Sequence, residues 1–292
     1  MGSGASKART EEETFEEVAR TLSKAKRITV FSGAGVSVSS GIPDFRSPGG
    51  IWTRFDPMVY CDYENFLDKP EMFWTMVKCL YQDIHFSLGG SREELERGEL
   101  RSPRPNEAHS AVADLEALGK RVSVVTQNID GLHSAAASKD VIELHGTDSS
   151  CTCMTCKEVV SREEVLKQIV EGGGFRRGSV TIVPRHGGGC GGVLKADVVL
   201  FGEALPTGAM MKATKAVMAS TVVLVVGSSL NVAPANMLPT MVKYRPFGKL
   251  VVLNLDTSGK EQADLFLQGE ATVVLPKLVQ RMKELMTWNK SK

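Results

Sequence analysis

Three cysteines crowd into the stretch SCTCMTC (150–156), at Cys151, Cys153 and Cys156, and a fourth, Cys190, stands well downstream. Thiols so spaced have three chemistries open to them: a disulfide framework, a Cys-x-x-Cys redox pair, or a metal site. The two other cysteines, Cys61 and Cys79, are isolated and read as small buried apolar residues. Oxygen and amide groups gather elsewhere. Four apolar runs end in Gly33-Ala34-Gly35, Gln127-Asn128-Ile129-Asp130, Gly227-Ser228-Ser229 and Asn254-Leu255-Asp256. Glycines let a backbone approach a phosphate closely, and the start of a following helix supplies N–H donors. Asn, Ser and Asp suit ribose hydroxyls and adenine edges. Together the four endings point to a dinucleotide. The first reads G-A-G-V-S, not G-x-G-x-x-G, which argues against a hydride-transferring dehydrogenase.

The elements that must position these groups are legible as well. Short β-branched runs (RITVFSGAG at 27–35, RVSVVTQNID at 121–130, STVVLVVGSSL at 220–230, GKLVVLNLD at 248–256) lack clean alternation. That pattern suits strands buried on both faces of a parallel sheet. Helical segments lie between them, at 14–26, 106–119 and around 209–219, the second with Asn106 as N-cap and Gly119 as its stop. Strand and helix alternate, so the fold class is α/β with a doubly wound parallel sheet, and its ligand belongs at the carboxyl ends of the strands. Two stretches break the rhythm. Residues 52–104 are aromatic, Met-rich and helical in pattern, and residues 149–192 hold four cysteines among glycines. Both read as insertions forming a smaller lobe. No internal repeat is visible.

Composition excludes other classes. The 292 residues are 42% hydrophobic with a net charge of +1, so there is no basic excess to favour nucleic acid. No run approaches the roughly 18 apolar residues of a membrane span. The chain lacks the pattern of a secretory signal, and the acidic TEEETFEE (10–17) is unlike a mitochondrial leader. The expected location is therefore intracellular, cytoplasmic or nuclear, where thiols stay reduced and a disulfide framework is disfavoured. MGSGAS at the start fits N-acylation of Gly2, or else a flexible tail or a tag remnant. Membrane association is expected only if Gly2 is acylated, and then weakly.

Five motifs, in order, carry a resemblance: GAGVSVSSGIPDFRSPGGIW (33–52), TQNIDGLH (126–133), ELHGT (143–147), VVLFGEALP (198–206) and GSSLNVAP (227–234). This set resembles the sirtuins, NAD-dependent protein-lysine deacylases, over residues 14–275. The resemblance implies a Rossmann-like sheet domain from 14–51, 105–148 and 193–292, a helical insertion over 52–104 and a zinc-binding module over 149–192, after a tail at 1–13. It implies that Gly33, Ala34, Gly35 and Ser37 hold the NAD pyrophosphate region, with Asp44, Phe45 and Arg46 on a loop that folds over the cofactor. Gln127, Asn128, Ile129 and Asp130 would line the nicotinamide and ribose. Gly227, Ser228, Ser229, Asn254 and Asp256 would take the adenosine half. Asn128, Asp130 and His145 would be catalytic, His145 as the base that deprotonates a ribose hydroxyl near neutral pH. Val199, Phe201, Gly202 and Glu203 would pair as an extended edge with an acylated-lysine peptide. Of the other histidines, His109 and His133 read as structural and His85 as a surface residue.

The same resemblance implies a structural zinc held by two Cys-x-x-Cys pairs. Cys153 and Cys156 fit the first pair, but the second is represented by Cys190 alone in PRHGGGCGGVLK. His186 would complete a Cys₃His set, with Cys151 as the alternative fourth ligand and a metal-free degenerate site as a third reading. A redox role is disfavoured, since no thioredoxin-like helix start follows. In the desuccinylating subgroup a Tyr and an Arg follow the tryptophan of the small-lobe helix; here Val77 and Leu80 stand at those places after Trp74, so acidic acyl groups are expected to be disfavoured. The expected function is NAD-dependent deacetylation of protein lysine, giving nicotinamide and O-acetyl-ADP-ribose. The alternatives are mono-ADP-ribosyl transfer, long-chain deacylation and a catalytically silent NAD- and acyl-peptide-binding module.

Overall fold

The structure, a computed structural model, describes residues 9–45 and 49–288. Gly2 and Arg46 lie outside the described residues. Helix α1 (Glu11–Lys24) leads into strand β1 (Arg27–Ser32), and the 52–104 stretch then forms α2 (Pro57–Tyr60), α3 (Tyr63–Asp68), α4 (Pro70–Ser87) and α5 (Arg92–Glu96). The chain returns through α6 (Glu107–Ala117), β2 (Arg121–Thr126), α7 (Leu132–Ala135) and β3 (Val141–Glu143). A second excursion comprises β4 (Gly146–Cys153), β5 (Val159–Ser161), α8 (Arg162–Glu171) and β6 (Leu194–Val198). Helix α9 (Thr207–Ala219), strands β7 (Val222–Val226), β8 (Lys249–Asn254) and β9 (Leu265–Gln268), and α10 (Ala271–Trp288) complete it.

Six strands form one parallel sheet in the order β3-β2-β1-β7-β8-β9. Counted along this sheet alone, the order is that of a doubly wound nucleotide-binding fold, and it reverses between β1 and β7. The strands read as continuous apolar runs because both faces are covered: all five residues of β7 are buried. On one face Val18, Leu22, Val112, Leu115, Leu278 and Met282 from α1, α6 and α10 pack on Val30, Val124, Leu224 and Val251. On the other, Ala213 and Val217 of α9, with Leu238 and Val242, pack on Phe31, Val125, Val223 and Val225. A three-stranded antiparallel sheet, β5-β4-β6, joins α3, α4 and α8 around a separate core that includes Phe66, Phe73, Trp74, Val165, Phe175 and Leu194. None of the described helices is long and apolar enough to cross a membrane.

Local signals account for most boundaries. The first helix begins at Glu11 rather than at residue 14 because Thr10 and Glu13 form a reciprocal capping box. It ends at Lys24, where Ala25 turns extended to enter β1. Asn106 caps α6 as expected, and Gly119 follows its end at φ +78°. One expectation fails. His85 is not a surface residue but fully buried. Its Nε2–H donates to the Ser91 carbonyl (2.8 Å) and its Nδ1 accepts from the Arg101 N–H (3.2 Å), tying the end of α4 to the loop that precedes α6.

Candidate active site

The strand ends meet where the sheet order reverses. Gly33 N–H donates to the Val226 carbonyl (3.1 Å) and Gly35 N–H to the Gly227 carbonyl (2.9 Å), so the turns after β1 and β7 lie backbone against backbone. A Cβ on Gly227, whose φ is +59°, would stand 2.5 Å from the Val36 nitrogen. These glycines are therefore required first by each other, and the close contact of the two turns shapes the crevice. Its floor is one cavity of about 1500 Å³. Every cofactor or substrate residue singled out in the sequence lines it, Arg46 aside: the 33–37 turn, Asp44 and Phe45, residues 127–130, His145, Val199, Phe201, Gly202 and Glu203, Gly227, Ser228 and Ser229, Asn254 and Asp256. A volume above the roughly 300–1,000 Å³ of a typical small-molecule pocket leaves room for a dinucleotide beside a second ligand.

At one end of it a chain of polar side chains is linked by its own hydrogen bonds. The Ser37 hydroxyl donates to Asp130 Oδ2 (2.7 Å) and accepts from Asn128 Nδ2 (3.0 Å). Asp130 Oδ1 accepts from the Leu132 N–H (2.9 Å), starting α7, and Thr126 Oγ1 accepts from the Asn128 N–H (3.0 Å). Gln127 Nε2 donates to Ser228 Oγ (2.8 Å), bridging the β2 and β7 ends. Asn254 is buried, and its Nδ2 donates to the Ser228 (2.9 Å) and Ser258 (2.7 Å) carbonyls. Its amide thus braces the loops that follow β7 and β8. Ser37, Gln127, Asn128 and Asp130 are each oriented by these hydrogen bonds in the cavity wall.

His145 sits beside them, between β3 and β4. Its Nδ1 lies 3.0 Å from the Gln127 carbonyl, an acceptor only, so Nδ1 carries the proton and Nε2 keeps the lone pair. Burial lowers its pKa below the ordinary 6.5, with the Gln127 bond opposing, so the neutral, accepting form prevails at neutral pH. His109 and His133 are both buried. Burial, helped by neighbouring His109, drives His133 down to about 3, and its Nε2 bonds the Ser32 hydroxyl (2.9 Å). His109 stands behind Ser37 at 3.4 Å.

The 199–203 segment differs from the expected extended edge. Only Phe201 pairs like a strand, through an isolated parallel bridge with Asp62, and Gly202 turns at φ +87°. Phe201 N–H donates to the Cys61 carbonyl (2.8 Å), its carbonyl accepts from Tyr63 N–H (2.9 Å), and Val199 N–H donates to the His145 carbonyl (2.8 Å). The Glu203 carboxylate turns back to Lys195 Nζ (2.9 Å) and the Leu200 N–H (2.8 Å). Residues not foreseen join the wall. Trp52 stacks on Phe45 at 5.1 Å and leans on Phe201 at 6.4 Å, while Tyr81, Asp148 and Arg162 enter from the small lobe. Nothing in local spacing could flag these three, because they come from α4, β4 and α8 and meet only in space.

The thiol question resolves by geometry. One ligand atom each from Cys153, Cys156, His186 and Cys190 lies within 4.8 Å of all the others. The sulfur contacts are 3.6 Å (Cys153–Cys190) and 3.5 Å (Cys190–Cys156), and His186 Nδ1 stands 3.2 Å from Cys190 Sγ and 3.4 Å from Cys156 Sγ. A tetrahedral zinc with Zn–S near 2.3 Å needs edges of roughly 3.5–3.8 Å. The two sulfur–sulfur contacts match, and the two sulfur–nitrogen contacts are a few tenths of an ångström shorter, so the four could close on one ion with a small outward shift of His186. His186 would bind through Nδ1, its Nε2 held by Glu158 at 3.0 Å. Backbone N–H groups of Cys156 and Thr155 draw the Cys153 thiol down to about 7, which favours the thiolate a metal takes. Cys151, the alternative ligand, is excluded. It lies in β4 opposite Val160 and Ala196, buried in the small-lobe core, with its thiol pushed up to about 12.

Comparison with known proteins meets this geometry. The family model described as "Sir2 family" matches residues 33–234. The chain is 38% identical over 274 residues to NAD-dependent protein deacetylase 1 of Pyrobaculum aerophilum, covering 93% of this chain and 96% of that one. A structure determined for the mechanism and regulation of Sir2 enzymes superposes with a TM-score of 0.77 at 35% identity, over 94% of this chain and 99% of the other. Sir2Af2 bound to a myristoylated histone peptide superposes with a TM-score of 0.72 at 30% identity, over 94% and 99%.

Proposed function

The chain belongs to the Sir2 family and is an NAD-dependent protein deacylase; from that premise we propose how its own residues divide the work. The reaction we assign is deacetylation of protein lysine, with nicotinamide and O-acetyl-ADP-ribose as products. The observation that carries this reading is His145 with a free Nε2 lone pair, in one cavity with the Ser37-ordered Asn128 and Asp130. NAD, when bound, supplies an electrophilic ribose carbon to the acyl oxygen and accepts the acyl group.

Asn128 and Asp130 hold the nicotinamide carboxamide, oriented through the shared Ser37 hydroxyl. The turns at 33–35 and 227–229 seat the phosphates and adenosine ribose, with Asn254 bracing them. His145 Nε2 takes the proton of a ribose hydroxyl while Gln127 keeps the ring in its accepting tautomer, a contribution of roughly 10²–10⁴-fold. Phe45, Trp52 and Phe201 form an aromatic wall that keeps water from the reacting centre. The acyl-lysine lies against Val199, Phe201 and Gly202, reading whatever backbone groups that bridged segment presents rather than a free sheet edge. Zinc at Cys153, Cys156, His186 and Cys190 is structural, all four positions being protein ligands. A cytoplasmic or nuclear location belongs with this proposal, and a fluorescent fusion tests it.

The direct test is incubation with NAD and an acetyl-lysine peptide, following peptide mass and free nicotinamide together. NAD-dependent loss of the acetyl group with nicotinamide released mole for mole is expected. An ADP-ribose adduct on protein in place of that loss would sink the deacetylase assignment in favour of ribosyl transfer.

A further inference from the structure

The cavity does not end at His145. It runs on into the small lobe, where Val77, Leu80, Ile84, Leu100 and Leu166 line it. Val77 and Leu80 make that part of the wall apolar, as their places after Trp74 suggested. The residue next to Leu80 breaks it. Tyr81 Oη donates to both oxygens of Asp148 (3.0 and 3.1 Å), and Arg162 NH1 donates to Asp148 Oδ2 (3.2 Å). All three border the cavity, and each comes from a different element.

This cluster is not saturated. A guanidinium has five N–H donors; one bond from Arg162 NH1 goes to Asp148, and the side chain as a whole is about one-third exposed where it borders the cavity. Its Nε is buried away from the cavity with no partner among the described residues, so the spare donors are those of the terminal nitrogens. The Asp148 carboxylate, with about four acceptor positions, takes three hydrogen bonds. Burial holds the Asp148 carboxyl above its usual range despite Arg162, and the Tyr81 phenol well above its own. An apolar chain end placed here would close water off from these groups without replacing its bonds, which is costly. A carboxylate end would confront the charge of Asp148. A neutral group that both donates and accepts matches the spare acceptor of Asp148 and the spare donors of Arg162 together. The distance is suitable, since Asp148 follows His145 by three residues and so lies within about 11 Å of chain reach.

We propose that this branch selects acyl groups longer than acetyl that carry a neutral hydrogen-bonding group, such as a hydroxyl, toward the far end of the chain, recognised by Arg162 and Asp148. The inference rests on the deacylase reading and names a substrate class for the same site. The test uses the full chain with NAD and one lysine peptide bearing acetyl, a longer unsubstituted acyl, its ω-hydroxy counterpart of equal length, or the ω-carboxy counterpart. The expected result is a kcat/KM for the ω-hydroxyacyl peptide about tenfold or more above the unsubstituted one, with the ω-carboxyacyl peptide lowest. In Arg162→Met and Asp148→Asn, checked for folding by thermal melting and zinc content, that ratio should fall toward one. Equal rates for hydroxylated and plain chains, a preference for the carboxylated chain, or variants that slow every peptide alike would overturn the proposal and leave the cluster a structural tie. Acetyl turnover in the same series reads the premise separately: if no peptide is deacylated, the deacylase reading falls and the inference with it. Acetyl loss with a flat longer-chain series removes the inference alone.

Discussion

His145 and His133 are both kept neutral by burial, yet one is poised for chemistry and the other is locked out of it. The difference is what the second nitrogen finds. His145 spends Nδ1 on a carbonyl and turns Nε2 to the cavity wall, whereas His133 Nδ1 is buried without a partner among the described residues. Replacing His145 with Ala should cut deacetylation by about 10²–10⁴-fold while leaving the fold intact, checked by single-turnover rates and circular dichroism. Because the working form is unprotonated, kcat should fall as pH drops through the His145 pKa, which lies below 6.5. An acid limb in the pH–kcat profile with its midpoint at or above 6.5 would contradict that. His133 instead governs stability. The unfolded chain takes up a proton near pH 6.5 that the folded chain refuses until about 3, so stability is full above that window and drains as pH falls through it. Its slope approaches about 1.4 kcal/mol per pH unit. Urea titrations of wild type and His133→Gln across the window should show the shallower slope in the variant.

Among elements, α6 shows how a cap reaches beyond its own helix. Asn106 Oδ1 accepts from the Ala108 N–H (2.9 Å), while its Nδ2 donates to the Val36 carbonyl (2.8 Å) and Ser40 Oγ (3.0 Å). The helix start is thereby fastened to the turn that follows β1. Asn106→Ala loses the cap and strands a buried carbonyl, which together cost roughly 1–3 kcal/mol. We expect a lower urea midpoint accompanied by a higher KM for NAD; an unchanged KM would show that the turn holds its shape unaided. Gly227→Ala is more severe locally, because its Cβ would meet the Val36 nitrogen at 2.5 Å in a left-handed backbone. NAD binding measured by calorimetry should weaken far more than global stability declines.

At the scale of the molecule, two cores are joined at the cavity, and the zinc module belongs to the smaller. Trp74 Nε1 donates to the Leu194 carbonyl (3.1 Å), fastening α4 to β6, and Cys153 closes β4 within the same core. Native mass spectrometry should find one zinc per chain. His186→Ala should lose it, His186→Cys should keep it, and Cys151→Ser should keep it as well. Chelation should perturb the near-ultraviolet signal of the small lobe before the large sheet unfolds. Retention of zinc by His186→Ala would remove the Cys₃His assignment.

What the sequence determined by itself is the parallel sheet, its polar strand ends and the family. Those features are local: unbroken apolar runs such as VVLVV bury both faces of a strand, and motifs such as ELHGT are contiguous, so neither depends on knowing what packs against what. Tertiary structure decided the questions in which partners are distant in the chain. It chose His186 over Cys151, since both are plausible ligands by spacing and only three-dimensional position separates a cluster member from a core thiol. It buried His85, whose neighbours Ser91 and Arg101 close over it from a loop. It set Phe201 against the Cys61–Tyr63 backbone on one side and turned the chain at Gly202, contacts between segments far apart in sequence. Tyr81, Asp148 and Arg162 meet for the same reason: a sequence displays neighbours along the chain, while charge pairing and burial are properties of neighbours in space.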